Sequence, residues 1–145
     1  MVEIRHLRAR DADLVMRAGG LFDRTPLPGW TLDFLARPGN YLLVAFVEDR
    51  PVGFVTGIEI LHPDKGPEVL LYELGVDEEF RGRGIGSTLV KRLRDLARNA
   101  GCRGMWVVTE AANEAATRVY EAAGAGGGDT SFVMEWVFDR GAETR

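Results

Sequence analysis

The sequence is poor in the residues on which several large function classes depend. Its one cysteine, Cys102, allows no intramolecular disulfide framework and no thiolate metal cage. The two histidines, His6 and His62, lie far apart and lack ligand spacing, so no metal is expected. Basic charge is not in excess: 18 Lys and Arg stand against 22 Asp and Glu, a formal net charge of −4. Gripping nucleic acid takes a net basic face, so that class is set aside, whereas mild acidity suits a cationic small molecule. No apolar run approaches the roughly 20 residues of a bilayer span. The opening MVEIRHLRARDADL lacks the basic-then-apolar layout of a signal peptide. A soluble, cytoplasmic protein is expected, with neither membrane nor nucleic acid as partner.

The remaining composition is that of a globular protein: 145 residues, 46% hydrophobic and 28% charged, which fits a single domain spanning 1–145 with a sizeable core. Val2–Leu7 alternates like a strand, and Asp11 is placed to cap a helix running to about Phe22. The turn-rich TPLPGW precedes a short helix around Leu32–Ala36. Three apolar runs follow, Tyr41–Val47, Val52–Leu61 and Val69–Val76, joined by a tight turn at Asp49–Arg50 and a longer one at His62–Pro67. They read as an antiparallel meander. Ile85, Leu89, Leu93, Leu96 and Ala100 then recur at helical spacing until Gly101. Gly104–Thr109 reads as a buried strand that this helix returns parallel to Val69–Val76. Asn113 caps a second helix ending at Gly124, and Ser131–Phe138 reads as a last strand. The expected fold class is an α/β sandwich, a mixed and mostly antiparallel sheet flanked by about four helices.

The most informative segment is Arg81-Gly82-Arg83-Gly84-Ile85-Gly86, between a strand and a helix. Glycines let backbone amides approach a ligand closely, and those amides converge at the positive end of the helix dipole. Two arginines add charge-assisted donors, so the loop suits a diphosphate. It is not a P-loop, because no Gly-Lys-Ser/Thr ends it, and its G-x-G-x-G spacing is not the dinucleotide fingerprint. Taken alone, it reads equally as a glycine-rich turn with a solvated arginine pair.

The last hundred or so residues resemble the GNAT acetyltransferases. Arg81-Gly-Arg-Gly84-Ile-Gly86 fits that family's Arg/Gln-x-x-Gly-x-Gly/Ala loop, after a strand ending Gly75-Val76-Asp77. The family's second signature is matched by Asn113-Glu-Ala-Ala-Thr-Arg-Val-Tyr120-Glu-Ala-Ala-Gly124. The resemblance implies an enzyme that moves the acetyl group of acetyl-CoA to an amine. It implies that Leu74, Gly75 and Val76 bind the pantetheine arm and that Arg81, Gly82, Arg83, Gly84, Ile85, Gly86 and Ser87 wrap the pyrophosphate. Asn113 would contact the arm, and Tyr120 would be the general acid facing the thioester sulfur. On the residues alone, Tyr120 reads as a core aromatic whose hydroxyl has a partner.

Deprotonating a cationic amine calls for a carboxylate. Glu73 interrupts the apolar run Val69–Val76, where a charge is costly unless paired or functional. Alternation puts its side chain on one strand face with Leu71 and Gly75. Glu110, at the end of GMWVVTE, is the second choice. Leu71-Tyr-Glu-Leu-Gly-Val resembles the corresponding strand of the gentamicin-type aminoglycoside 3-N-acetyltransferases, with Glu73 at the place of their aspartate. An aminoglycoside acceptor, and with it antibiotic resistance, is the lead that follows. Alternatives are a protein or peptide N-acetyltransferase and a non-catalytic acetyl-CoA-binding module. Trp30 and Tyr41 are candidates for the substrate opening, and Phe132, Met134 and Trp136 for a homodimer interface.

Overall fold

A computed structural model describes residues 1–138 of the chain. Five strands lie in one sheet in the order β1 (Val2–His6), β2 (Asn40–Val47), β3 (Arg50–Ile60), β4 (Glu68–Val76) and β5 (Met105–Val107). Neighbours are antiparallel except β4 and β5, which run parallel. Among the described residues the α-helices are α1 (Ala12–Arg17), α2 (Pro28–Ala36), α3 (Ile85–Asn99) and α4 (Glu114–Ala122). The mixed, mostly antiparallel sheet with four helices is the architecture the sequence implied. No helix among the described residues is long and apolar enough to cross a membrane.

The period of two along the strands makes two cores. Leu42, Val44, Phe46 and Phe54 pack with Leu7, Val15 and the apolar side chains of α1 and α2. Leu43, Ala45, Val52, Val55, Val69 and Leu71 pack with Ile85, Leu89, Leu93 and Ala97 of α3. Each fully buried Leu or Val contributes about 1.5–3 kcal/mol. Arg94 ties α3 to α4 by donating to the Ala123 carbonyl at 2.9 Å, where α4 ends.

Local details differ from the sequence reading. Asp11 stands at the N-cap position of α1 as expected, but its side chain makes no capping bond there; its carboxylate accepts from the Arg8 amide at 2.8 Å and closes a 3₁₀ turn. The helix then stops at Arg17, because Gly19 and Gly20 follow, and a second 3₁₀ turn occupies Gly19–Leu21. Pro28, at the first turn of α2, starts that helix earlier than expected. The β2–β3 turn sits one residue earlier, at Glu48 and Asp49, whose φ values of 50° and 65° suit a two-residue hairpin.

The expected strands at the chain's C-terminal side need correcting. Gly104–Thr109 yields only the three-residue β5, an edge strand with Trp106 42% exposed. Ser131–Phe138 forms no strand. A new strand needs a long partner edge, and β5 offers three residues. Phe132, Met134 and Trp136 therefore stand 72–84% exposed.

Candidate active site

The site is built on an irregularity in β4. Thr56 of β3 pairs with Glu73, but the next residue, Gly57, pairs with Leu71. Tyr72 is thus an extra residue, and the face of β4 inverts across it. Before the bulge, Val69 and Leu71 point into the α3 core; after it, Leu74 and Val76 do. Glu73 is on the opposite face, with its partner Thr56 and near Phe54. It shares that face with Gly75 but not with Leu71, contrary to simple alternation. Without the bulge this carboxylate would enter the apolar core.

Thr56 holds the bulge. The residue is 4% exposed, and its hydroxyl oxygen accepts from the Glu73 amide at 3.0 Å. Thr56→Val keeps the shape and strands that amide, at about 1–3 kcal/mol of stability. Thermal or denaturant unfolding should show this loss, with Thr56→Ser recovering most of it; unchanged stability in Thr56→Val would mean the hydroxyl does not hold the bulge.

Glu73 opens onto a cavity of about 680 Å³ between β4 and the α1–α2 connection. Leu74, Gly75, Val76 and Arg81 line it too, as do Arg17, Leu21, Asp23, Phe54, Tyr72, Asp77 and Glu78. Burial raises the Glu73 carboxyl above its ordinary range, and the nearby Asp23 charge raises it further. Asp77 is held low by the Glu79 amide and by Arg50, which it meets at 2.9 Å. A Cβ at Gly75 would come within 2.7 Å of Phe54, whose ring stacks on Phe22 with centroids 4.1 Å apart. Glycine is therefore needed for β4 to pass this close.

Past Leu71, β4 has no partner on its outer side among the described residues, because β5 pairs only with Val69–Leu71. Leu74–Val76 thus offer an open edge to an extended ligand arm. At the end of that edge, Gly82 and Gly84 have φ of 76° and 81°, and a Cβ on either would meet nothing within 4 Å. The loop is open on its ligand side and needs glycine for conformation. It delivers the chain to the N-terminus of α3, 15 residues long. Arg81 donates to the Val76 carbonyl at 3.1 Å, and Arg83 lies 4.7 Å over the Phe80 ring. The shape and charge fit a diphosphate. Gly86 and Ile85 are buried, so only their backbone is available to such a ligand, while Ser87 is half-buried.

Not every candidate meets at the cavity. Tyr120 packs against the α3 core and does not line it, although α4 crosses the start of α3, where Val119 approaches Gly86. Burial raises its phenol above the ordinary value of 10.0. Asn113 caps α4, its side-chain oxygen accepting from the Ala116 amide at 3.1 Å, which leaves its NH₂ to donate elsewhere. Glu110 is exposed and outside the cavity. Tyr41 lines a separate cavity with His6, its hydroxyl 3.4 Å from Glu59, and Trp30 lines neither, so neither residue borders the cavity onto which Glu73 opens. Sequence reading missed Asp23, Thr56 and the extra residue Tyr72. A lone threonine in an apolar strand was the available signal for the second.

Comparison with known proteins gives the family and the fold. The sequence model of the Acetyltransferase (GNAT) family matches residues 4–125. An L-2,4-diaminobutyric acid acetyltransferase of Streptomyces coelicolor is 35% identical over 95 residues, covering 63% of this chain and 51% of that protein. Human N-acetyltransferase 8B is 29% identical over 114 residues, covering 78% and 50%. The chain thus spans about half the length of these curated relatives. A solved aminoglycoside acetyltransferase from an uncultured soil metagenomic sample, in complex with trehalose, superposes with a TM-score of 0.87. It is 18% identical, with 95% of this chain and 97% of that one covered, a likeness of fold.

Proposed function

Because the chain belongs to the acetyltransferase (GNAT) family, we propose that it transfers the acetyl group of acetyl-CoA to a primary amine of a small cationic acceptor. The observation that carries this reading is the junction of two half-sites on one strand: β4 presents Glu73 to a cavity and runs straight into the open Arg81–Gly86 loop. In this reading Leu74–Val76 hold the arm of acetyl-CoA, Arg81–Ser87 its pyrophosphate, and Asn113 donates to the arm.

Glu73 takes one proton from the acceptor ammonium and passes it to solvent. The neutral amine attacks the thioester carbonyl carbon; the C–N bond forms and the C–S bond breaks. Tyr120 gives its proton to the departing sulfur and is reprotonated as the nitrogen sheds its second proton, leaving an amide and a free thiol.

Aminoglycosides, named for the soil-metagenome neighbour, and a diamino acid, named for the Streptomyces coelicolor relative, each carry more than one ammonium group and suit the carboxylates of the cavity. Acting on an aminoglycoside would make the chain a resistance determinant. We take it to work in the cytoplasm as a homodimer, the exposed apolar Phe132, Met134 and Trp136 supporting the second point, which light scattering reads directly as mass.

Thiol release from acetyl-CoA should be measured with the purified chain against aminoglycosides, polyamines, amino acids and peptides. Turnover is expected on small polycationic amines. Turnover on peptides alone would reassign the chain to protein acetylation. Tight acetyl-CoA binding without turnover on any amine would leave a binding module.

A further inference from the structure

Resting on the acetyl-transfer reading above, we propose that Asp23 anchors a second ammonium group, so that the acceptor site selects molecules carrying two amino groups over monoamines of equal length. Asp23 sits in the connection between α1 and α2 and lines the same cavity as Glu73. Phe22, next to it, is fixed by its stacking on Phe54. The loop carrying Asp23 is thereby held against the strand pair that carries Glu73.

Three of the other charges around the cavity are already engaged, and the fourth, Glu78, is not among the charges felt at Glu73. Arg17 donates to the Asp49 carbonyl at 2.7 Å, Arg81 to the Val76 carbonyl, and Asp77 pairs with Arg50. Asp23 makes no ion pair or hydrogen bond among the described residues. It is near enough to Glu73 for its charge to be felt there, an arrangement that is unfavourable in the empty cavity. An acceptor with one ammonium relieves only part of that repulsion, because its nitrogen becomes neutral as it reacts at Glu73. A second ammonium stays charged throughout and is held by Asp23. Tyr72, turned out by the bulge and 65% exposed, lines the cavity as well and offers an apolar ring to the carbon chain between the nitrogens.

The test compares α,ω-diaminoalkanes with n-alkylamines of matched chain length, reading kcat/KM by thiol release. Wild type is expected to favour the diamine at one or more lengths. Asp23→Asn should shrink the diamine-to-monoamine ratio by about threefold to tenfold, the scale of one partly exposed charged contact. Asp23→Glu should keep a preference, moved to a different chain length. Acetylation of both series at equal efficiency, or a ratio untouched by Asp23→Asn, overturns this inference and leaves the acetyltransferase reading standing. No turnover on any amine of either series or of the wider panel overturns both.

Discussion

Glu73→Gln should lower kcat/KM for amine acetylation by about 10²- to 10⁴-fold, the range of a lost general base, with acetyl-CoA affinity unchanged. The substitution keeps size and hydrogen-bonding shape and removes only the ability to take a proton. Stability should move the other way. The folded state raises the Glu73 carboxyl, through burial and then through Asp23. A carboxyl raised on folding leaves its ionised form disfavoured, so its cost to stability is present above the folded value and vanishes below the unfolded one. At neutral pH that cost is in force, and Gln removes it, so Tm should rise slightly as activity falls. A purely structural carboxylate would give the reverse, activity kept and stability lost. The pH profile adds a third reading. The acid limb of wild-type kcat/KM should lie above the ordinary glutamate value of 4.5, and Asp23→Asn should draw it down towards that value. A limb that stays in place in Asp23→Asn would leave burial as the sole cause of the raised carboxyl, and Glu73→Gln at full activity would remove Glu73 from the chemistry.

What could be read from the sequence divides along a physical line. Local chemistry was legible: the glycines of 82–86 announce an open turn, Asn113 announces its cap, and the spacing from Ile85 to Ala100 announces an amphipathic helix. Glu73 was legible as an anomaly, a charge in an apolar strand. Its direction was not, because period-two alternation assumes a regular ladder. The extra residue Tyr72 is fixed by which β3 residues meet β4, through a threonine 17 positions away. The partnership of Asp23 with Glu73 was hidden for the same reason, since it joins a loop to a strand 50 positions later in the chain. Ser131–Phe138 alternates as a strand should, yet alternation only says that one face could be buried. Whether a strand forms depends on the length of edge offered to it, and β5 offers little.

Tyr120→Phe separates chemistry from packing most cleanly. The ring lies against the α3 core, so a phenylalanine fills the same space. The hydroxyl makes no hydrogen bond among the described residues, so the substitution strands no partner. Unfolding free energy should therefore change by no more than about 0.5 kcal/mol. The catalytic consequence should be large. A thiolate whose conjugate acid has a pKa of about 8.5 leaves readily once a proton is offered, and a phenol at or above 10 stays protonated at working pH to offer it. Burial pushes Tyr120 further in that direction, holding the proton until sulfur becomes basic enough to take it. Phenylalanine should lower kcat by about 10²-fold or more, with KM for the amine nearly unchanged, because the amine is bound at Glu73. Weakly basic leaving groups need less help, so an acyl donor with a more acidic thiol should recover part of the lost rate in Tyr120→Phe and gain little in wild type. Loss of rate without that recovery would make Tyr120 a packing residue whose hydroxyl merely shapes the site, and full activity would hand the proton to solvent.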